Sequence, residues 1–272
     1  MSPPSRTEEA PAARTPGPER HPLACEAVRA SAAAAREHLG SRLRAVYAVG
    51  SLGYGGFVPG WSDVDVDLVV EPTSPEDERA NAVTAVLVRD QLHAEGFTYV
   101  DVKCYSPRVL ELAPEVYEYG IRNRLVMLRE SGQLVEGTPI RDQVPDPGIA
   151  ALRREGVEVA RRMTGRGDDW WHSRPIDDLA ALFALPMRLV ITSETGSVVG
   201  KLPALQRTLE EWDAAWPAAA WPWVAWATLC RSQPAARLLP DAALPAGADA
   251  ARALLAAILP RLEAHAAADD PA

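Results

Sequence analysis

The chain has 272 residues, a net charge of −9 and three cysteines. That length accommodates two ordinary domains with packed cores, and the negative charge argues against a general electrostatic grip on DNA or RNA. No uninterrupted apolar run approaches the length of a membrane span. Because the cysteines lack metal-ligand spacing and the N-terminal segment lacks the apolar core of a signal peptide, we expect a soluble, cytoplasmic protein without zinc or disulfides.

Strand and helix patterns alternate in the N-terminal half, after a Pro-, Ser-, Glu- and Arg-rich segment that predicts a disordered tail over residues 1–20. In chain order, the pattern predicts a helix over 21–39, strands at "RAVYAVGS" and "DVDVDLVV", a helix up to Gly96, a strand at "FTYVDVKCYS", and a helix end with a short strand at "RLVMLRESGQLVEG". Only helical patterns follow, over 149–163, 175–192, 202–216 and 249–267. These patterns predict an α+β domain with a small mixed sheet over 21–145 and an all-α helical bundle over 146–268.

Three aspartates, Asp63, Asp65 and Asp67, alternate with valines after a glycine-rich loop. Residues two apart on a strand share a face and lie roughly 6.6 Å apart, so the three carboxylates would crowd one side. Two such charges repel by roughly 2.5 kcal/mol at an effective dielectric constant near 20. A divalent cation would remove this repulsion, whereas the plain alternative is the solvent-facing side of an amphipathic strand. An EF-hand is excluded because Leu68 stands where that loop needs glycine and Ser74 where it needs a bidentate glutamate.

The residues around this run favour metal-dependent chemistry. Upstream, Gly50-Ser51 closes a strand with a tight turn whose N–H groups and hydroxyl could hold phosphate. Downstream, Asp101 lies within the apolar strand "YVDVK", where an unpaired buried acid would be costly. A Gly-Ser turn, an Asp-x-Asp pair about a dozen residues later and an acid on a later strand resemble the nucleotidyltransferase superfamily related to DNA polymerase beta.

The resemblance implies roles for the acids. Asp63 and Asp65, preceded by a serine, would bind one or two Mg²⁺ ions together with the triphosphate of ATP. The alternative pair, Asp65 and Asp67, stays open. Asp101 would join the metal site and accept the proton of an acceptor hydroxyl, which attacks the α-phosphate and expels pyrophosphate.

The same resemblance implies a set of nucleotide-binding residues. They are Gly50, Ser51, Ser62, Lys103 and Lys201. Lys103 and Lys201 are the only lysines in the chain, which draws attention to both positions. Lys103 lies one pleat from Asp101 and could contact phosphate or act simply as the counter-ion of that acid.

The second half of the chain narrows the resemblance. The stretch "LFALPMRLVITSETGSVVGKLPAL" resembles the helical domain of the aminoglycoside adenylyltransferases that modify streptomycin and spectinomycin. Arg188, the Thr195-Gly196 turn and Lys201 carry that likeness. It implies that Lys201 reaches the triphosphate and that Asp178 binds a cationic drug, although helix-dipole preference alone would also explain Asp178.

The chain also departs from that family. The family's third carboxylate is a glutamate, whereas this chain offers the shorter Asp101, and its second drug-binding acid has no clear match. Trp170 and Trp171 in "DDWWHSRP" could stack on a sugar or close the interdomain cleft. We therefore expect an Mg²⁺-dependent adenylyltransferase that uses ATP and acts on a small cationic acceptor of the aminoglycoside type, without DNA, RNA or membrane partners. Transfer to a protein or another metabolite, and a non-catalytic nucleotide-binding homologue, are the alternatives.

Overall fold

The computed structural model describes residues 21–72, 74–112, 120–212, 216–233 and 243–269. A four-stranded mixed sheet with helices forms the N-terminal half, and a helical region follows, so the predicted fold class is confirmed. The predicted disordered tail, residues 1–20, lies outside the described residues, and the domain boundary near residue 145 stays a prediction. In the described part of the chain, no helix combines the length and the apolar character that crossing a membrane requires.

Strands and helices alternate in the N-terminal half, close to the predicted bounds. The elements are α1 Pro22–Leu39, β1 Leu43–Ala48, α2 Gly50–Gly53, β2 Val64–Val70, α3 Pro75–Ala94, β3 Val100–Tyr105, α4 Val109–Leu112, α5 Ile121–Ser131 and β4 Gln133–Gly137. The sheet order is β3-β2-β1-β4, with β2 parallel to β3 and the other neighbours antiparallel. A capping box between Ser74 and Asp77 begins α3, the crossover helix that makes β2 and β3 parallel.

The two faces of the sheet pack against different helices. The valines and leucine at even positions of β2, from Val64 to Val70, form one apolar core with α1 and α3. Val69, at an odd position, packs instead with residues of α5. Because successive side chains of a strand point to opposite faces, Asp65 and Asp67 share the face that α5 covers. The local environment of these acids therefore depends on what α5 presents to them.

The described residues of the C-terminal half contain helices and their connecting loops, and no strand. Its helices are α6 Ile149–Thr164, α7 Asp168–His172, α8 Ile176–Thr195, α9 Lys201–Glu210, α10 Trp221–Ser232 and α11 Leu244–Ala267. The central helix α8 contacts α6, α9, α10 and α11. Helix α9 ends before the predicted Trp216, and α10 was not predicted. Proline at the start of α10 and α11 reads as a helix breaker in the sequence, yet the first turn of a helix tolerates it.

The loop between α2 and β2 connects the two halves. Trp61 in this loop is only 3% exposed and belongs to the apolar core of the helical half. Its ring meets that of Trp226 edge to face, with 6.4 Å between centroids. This packing fixes the neighbouring Ser62 and Asp63 between the sheet and the helices.

Candidate active site

Gly50 and Asp65 form one tightly fitted unit. The N–H of Val49 donates to the backbone oxygen of Asp65 at 3.0 Å, which holds the turn after β1 against β2. Gly50 has a φ of 58°, and a Cβ atom at this position would lie 2.2 Å from Asp65 Oδ2. Only glycine permits both this backbone conformation and this close approach. The predicted Gly-Ser turn therefore lies directly against the middle carboxylate of the acid run.

The three alternating aspartates occupy different environments. Asp63 precedes β2 and is exposed, the side chain of Asp65 is 21% exposed, and Asp67 is fully buried. Tyr105 donates its hydroxyl proton to Asp67 Oδ2 at 2.8 Å, and Arg124 Nε donates to Oδ1 at 2.6 Å. Asp67 thus shares the strand face of Asp65 but is buried, and the protein itself supplies its partners. Asp63 stays exposed and Asp65 partly exposed.

Arg124 of α5 links the buried and accessible carboxylates. Besides its bond to Asp67, its Nη1 atom lies 2.6 Å from Asp65 Oδ1 and 3.4 Å from Asp101 Oδ2. The Arg124 side chain is 7% exposed. This guanidinium supplies part of the positive charge that the sequence analysis assigned to a divalent cation alone.

Arg124 was not among the predicted site residues, although the chain carries a signal for it. Ile121, Leu125 and Leu128 form the apolar stripe of α5 that packs against the sheet. Arg124 stands in the same stripe, three residues after Ile121. A charged residue in a buried helical stripe needs a partner, because long charged side chains are rarely buried unless paired.

Asp101 lies beside Asp65 on the next strand. In the parallel register of β2 and β3, Asp65 pairs with Asp101 and Asp67 pairs with Lys103. Lys103 Nζ is 3.7 Å from Asp101 Oδ1, which is the geometry of a counter-ion; a phosphate contact by Lys103 stays a prediction. Because Arg124 lies between Asp101 and Asp65, this geometry favours Asp101 as a proton acceptor over Asp101 as a metal ligand.

The charges around Asp65 leave an excess of negative charge. Burial raises the pKa of Asp65, Arg124 acts against that effect, and Asp101 and Asp63 raise the pKa further. In the described residues, no group of three His, Cys, Asp or Glu side chains is arranged to hold a metal ion by itself. Mg²⁺ commonly takes one or two carboxylates and completes its shell with phosphates and water. The pair Asp63 and Asp65 therefore fits Mg²⁺ that arrives with a nucleotide.

A cavity of about 520 Å³ is lined in part by Ser62, the residue before Asp63. Its polar lining consists of Ser51, Tyr54, Ser62, Lys201 and Arg231, and we call it the cationic cavity. Burial lowers the pKa of Lys201, Asp63 acts against it, and Arg231 and Arg188 lower the pKa further. The cavity thus combines the predicted Ser51 and Lys201 with Arg231, which the sequence analysis did not single out.

A second cavity, of about 570 Å³, is lined by Asp63 itself. Its lining includes Asp63, Asp101, Asp177 and Asp178, and we call it the acidic cavity. Burial raises the pKa of Asp178 and Asp177 raises it further, whereas Arg174, at 3.5 Å, acts against both. The acidic and cationic cavities share Ser62 in their linings.

Ser62 holds the connecting loop in place. Its hydroxyl oxygen accepts hydrogen bonds from Val58 N–H at 3.0 Å and from Arg231 Nη1 at 3.2 Å. The residue is 6% exposed. The structure therefore shows a structural use for this hydroxyl, and its predicted contact with the nucleotide stays a prediction.

The two neighbouring tryptophans differ in accessibility. Trp171 is 1% exposed and lies in the core of the helical half, so it offers no face for stacking on a ligand, which argues against its predicted substrate-binding role. Trp170 lines a smaller cavity of about 270 Å³ together with Asp178 and Lys201. The Arg174 guanidinium lies over the Trp170 ring, 4.5 Å from its centroid.

Known proteins were compared with the chain at the level of sequence and of structure. No protein-family model matches the sequence, and no curated protein matches it. Among solved structures, the chain is similar to the spectinomycin adenyltransferase AAD(9) from Enterococcus faecialis, which was crystallised with ATP and spectinomycin. The TM-score is 0.60 at 16% sequence identity, and the match covers 85% of this chain and 98% of that one.

The chain has a nucleotidyltransferase fold. The match extends over both halves, so the fold is close to that of an aminoglycoside adenylyltransferase. At this identity the likeness concerns the fold, and the roles of individual residues must be argued from the site itself. In this nucleotidyltransferase fold, β1, β2 and β3 bring the Gly50-Ser51 turn, the acid pair and Asp101 together at one cleft.

Proposed function

We propose that the protein transfers AMP from ATP to a hydroxyl group of a small cationic acceptor, of the aminoglycoside antibiotic type. The observation that carries this proposal is the separation of charge between two adjoining cavities. The cationic cavity suits a triphosphate, and the acidic cavity suits an acceptor that bears amino groups. The fold shared with a spectinomycin adenyltransferase crystallised with ATP and spectinomycin supports the same assignment.

The residues divide the reaction between them. Asp63 and Asp65 would hold Mg²⁺, which would neutralise charge on the phosphates during transfer. Asp101 takes the proton of the acceptor hydroxyl, whose oxygen forms a bond to the α-phosphorus. The bond from the α-phosphorus to the oxygen that bridges to the β-phosphate breaks, and pyrophosphate leaves with both electrons of that bond. Asp101 then passes its proton to water.

Other side chains bind and orient the two substrates. Ser51 and Lys201 bind the phosphates in the cationic cavity, next to the turn that begins at Gly50, and Asp178 attracts the positive charge of the acceptor. Lys103, whose Nζ atom lies 3.7 Å from Asp101 Oδ1, is the counter-ion of that carboxylate. Such positioning of reactants and charges accounts for most catalysis of phosphoryl and nucleotidyl transfer.

Mass spectrometry tests the proposal directly. The purified protein is incubated with MgATP and a panel of aminoglycosides, lincosamides and the protein itself as possible acceptors. We expect one antibiotic to gain the mass of AMP. Asp101→Asn should slow that gain about 10²- to 10⁴-fold, because general base catalysis contributes roughly this factor. Its matched control is Asp90→Asn, which changes an exposed aspartate of α3 that pairs with Arg89.

Each outcome separates the candidate functions. A mass gain on the protein alone would support the second candidate, a nucleotidyltransferase that modifies proteins. Binding of MgATP without any transfer, across the whole panel and in cell extracts, would contradict catalysis and favour a nucleotide-binding homologue. An equal loss of activity in Asp90→Asn would show that the effect of Asp101→Asn is not specific to the site.

A further inference from the structure

Arg231 is a buried arginine with incomplete hydrogen bonding. It lies on α10, is 4% exposed, and donates from Nη1 to the hydroxyl oxygen of Ser62. Its Nε and Nη2 atoms are buried and have no hydrogen-bond partner among the described residues. A buried charged group with unmade hydrogen bonds costs free energy, so this arrangement needs a compensating partner.

Arg231 belongs to the lining of the cationic cavity. Ser51, Tyr54 and Lys201 line the same space. Nε–H and one Nη2–H of a guanidinium point in parallel from one edge, which matches two oxygens of a phosphate. Since Nη1 is engaged with Ser62, the edge that remains is the one suited to a bidentate contact.

The electrostatic surroundings also favour an anion. Burial lowers the pKa of Arg231, Asp63 and Tyr54 act against it, and Arg188 lowers it further. The positive charges of Arg231 and Arg188 lie near Lys201, and both lower its pKa. Arg188 Nε donates to the backbone oxygen of Val199, so that contact does not neutralise its charge. Two cations of the helical half, Lys201 and Arg231, thus line the cavity, and the charge of Arg188 acts on both.

We propose that Arg231 binds a phosphate group of the nucleotide through Nε and Nη2, as a ligand additional to Ser51 and Lys201. This inference rests on the proposed function, because it takes the occupant of the cationic cavity to be a nucleotide triphosphate. The contact also links α10 of the helical half, through Ser62, to the loop that carries Asp63.

Isothermal titration calorimetry on the full chain tests the contact with three probes: inorganic tripolyphosphate, MgATP and adenosine. Arg231→Met removes the donors and keeps an apolar stem of similar length. We expect its affinity for tripolyphosphate and MgATP to fall about tenfold to hundredfold, since hydrogen bonds to charged groups are among the strong ones, with adenosine binding unchanged. The melting temperature of the ligand-free protein should stay equal or rise, because an incompletely paired buried charge is removed.

Two further variants make the test specific. Arg231→Lys keeps a positive charge without the fork, so its affinity for tripolyphosphate should fall between those of the wild type and Arg231→Met. If Arg231→Met does not fold, Arg231→Lys is the variant that tests the phosphate contact. Arg153→Met is the matched control, because Arg153 is a partly buried arginine of the helical half that pairs with Asp269 and contacts Ser193. It should leave all three affinities unchanged.

The outcomes distinguish this inference from the proposed function. Equal tripolyphosphate binding by the wild type and the Arg231 variants, or no binding by the wild type, would overturn the phosphate contact. If AMP transfer persists in that case, the proposed function stands without it. If tripolyphosphate binding depends on Arg231 while ATP neither binds nor reacts, the anion site stands and the proposed function falls.

Discussion

The cationic and acidic cavities lie side by side yet have opposite charge, in a chain whose net charge is −9. Lys201 and Arg231 of the helical half line the cationic cavity. The acidic cavity is lined by Asp63 from the loop before β2, Asp101 from β3 and Asp178 from α8. Ser62 lines both. Local charge, rather than the net charge of the chain, therefore decides which cavity each of two oppositely charged substrates enters. The reaction between the substrates would then occur at the residues where the two cavities meet.

The largest expected effect concerns the acids between the cavities. Asp63→Asn should reduce AMP transfer on the order of 10³-fold, because a metal-held carboxylate supports several kcal/mol of charge stabilisation in the transition state. Asp67→Asn should instead leave transfer within about tenfold and lower the free energy of unfolding by about 3 kcal/mol, since it disrupts a buried pair with Arg124. Transfer assays and urea denaturation measure the two quantities.

The opposite effects of the two substitutions on AMP transfer would contradict this assignment of the metal pair. If Asp67→Asn abolished transfer while Asp63→Asn only weakened it, the alternative metal pair of Asp65 and Asp67 would be correct. A urea midpoint for Asp63→Asn close to that of the wild type is the control, because Asp63 is exposed and precedes β2.

An intermediate effect is expected in the acidic cavity. Asp178→Asn should raise the KM for a cationic acceptor about threefold to tenfold and leave the KM for ATP unchanged. The effect is modest because the Asp178 side chain is 51% exposed and its interactions are screened by water. Steady-state kinetics with each substrate varied in turn measures both constants. Asp168→Asn, which alters an exposed aspartate paired with Arg252, is the control.

A change in both KM values, or the same change with an uncharged acceptor analogue, would contradict the separation of the two sites. It would show that Asp178 acts on the closure of the cleft rather than on the charge of the acceptor.

The smallest expected effect is a shift in the pH dependence of nucleotide binding. The pKa of Lys201 lies below the ordinary lysine value of 10.5, because burial disfavours its charged form. Lys201 therefore loses its proton, and with it phosphate affinity, at a lower pH than an exposed lysine would. The Kd for ATP should rise as pH increases through this region, and Arg231→Met should move the rise to higher pH because one neighbouring positive charge is removed.

Calorimetric titrations between neutral and alkaline pH measure this shift, with adenosine as the uncharged reference. If the Kd for ATP rises at the same alkaline pH in Arg231→Met as in the wild type, Arg231 and Lys201 are electrostatically independent. That result would separate the two cations and weaken the description of one cationic cavity.

Much of the fold follows from local patterns. Alternation along β2 assigned its valines to the core, a capping box marked the start of α3, and spacing placed the Gly50-Ser51 turn ahead of the acids. These features depend on residues close in sequence, whose periods of two and 3.6 are fixed by backbone geometry. The resemblance drawn from them led to the fold that the structural comparison confirms.

The differences among similar residues arose only in three dimensions. Asp63 and Asp67 look alike in sequence, yet α5 and Tyr105 bury one and leave the other exposed. Trp170 and Trp171 are adjacent, yet only Trp171 lies in the core. The neighbouring residues in the sequence do not determine whether these side chains are buried, because burial depends on which helix, distant in sequence, packs over them.

The sequence by itself determined the order of the strands and of the helices between them in the N-terminal half, the run of alternating aspartates, and the two lysines singled out as candidates. The tertiary structure decided which acids are accessible, how Arg124 neutralises part of their charge and that Arg231 reaches the cationic cavity. The physical reason is that secondary structure follows short-range periodicity, whereas burial and charge pairing depend on contacts between segments as far apart as Ser62 and Arg231.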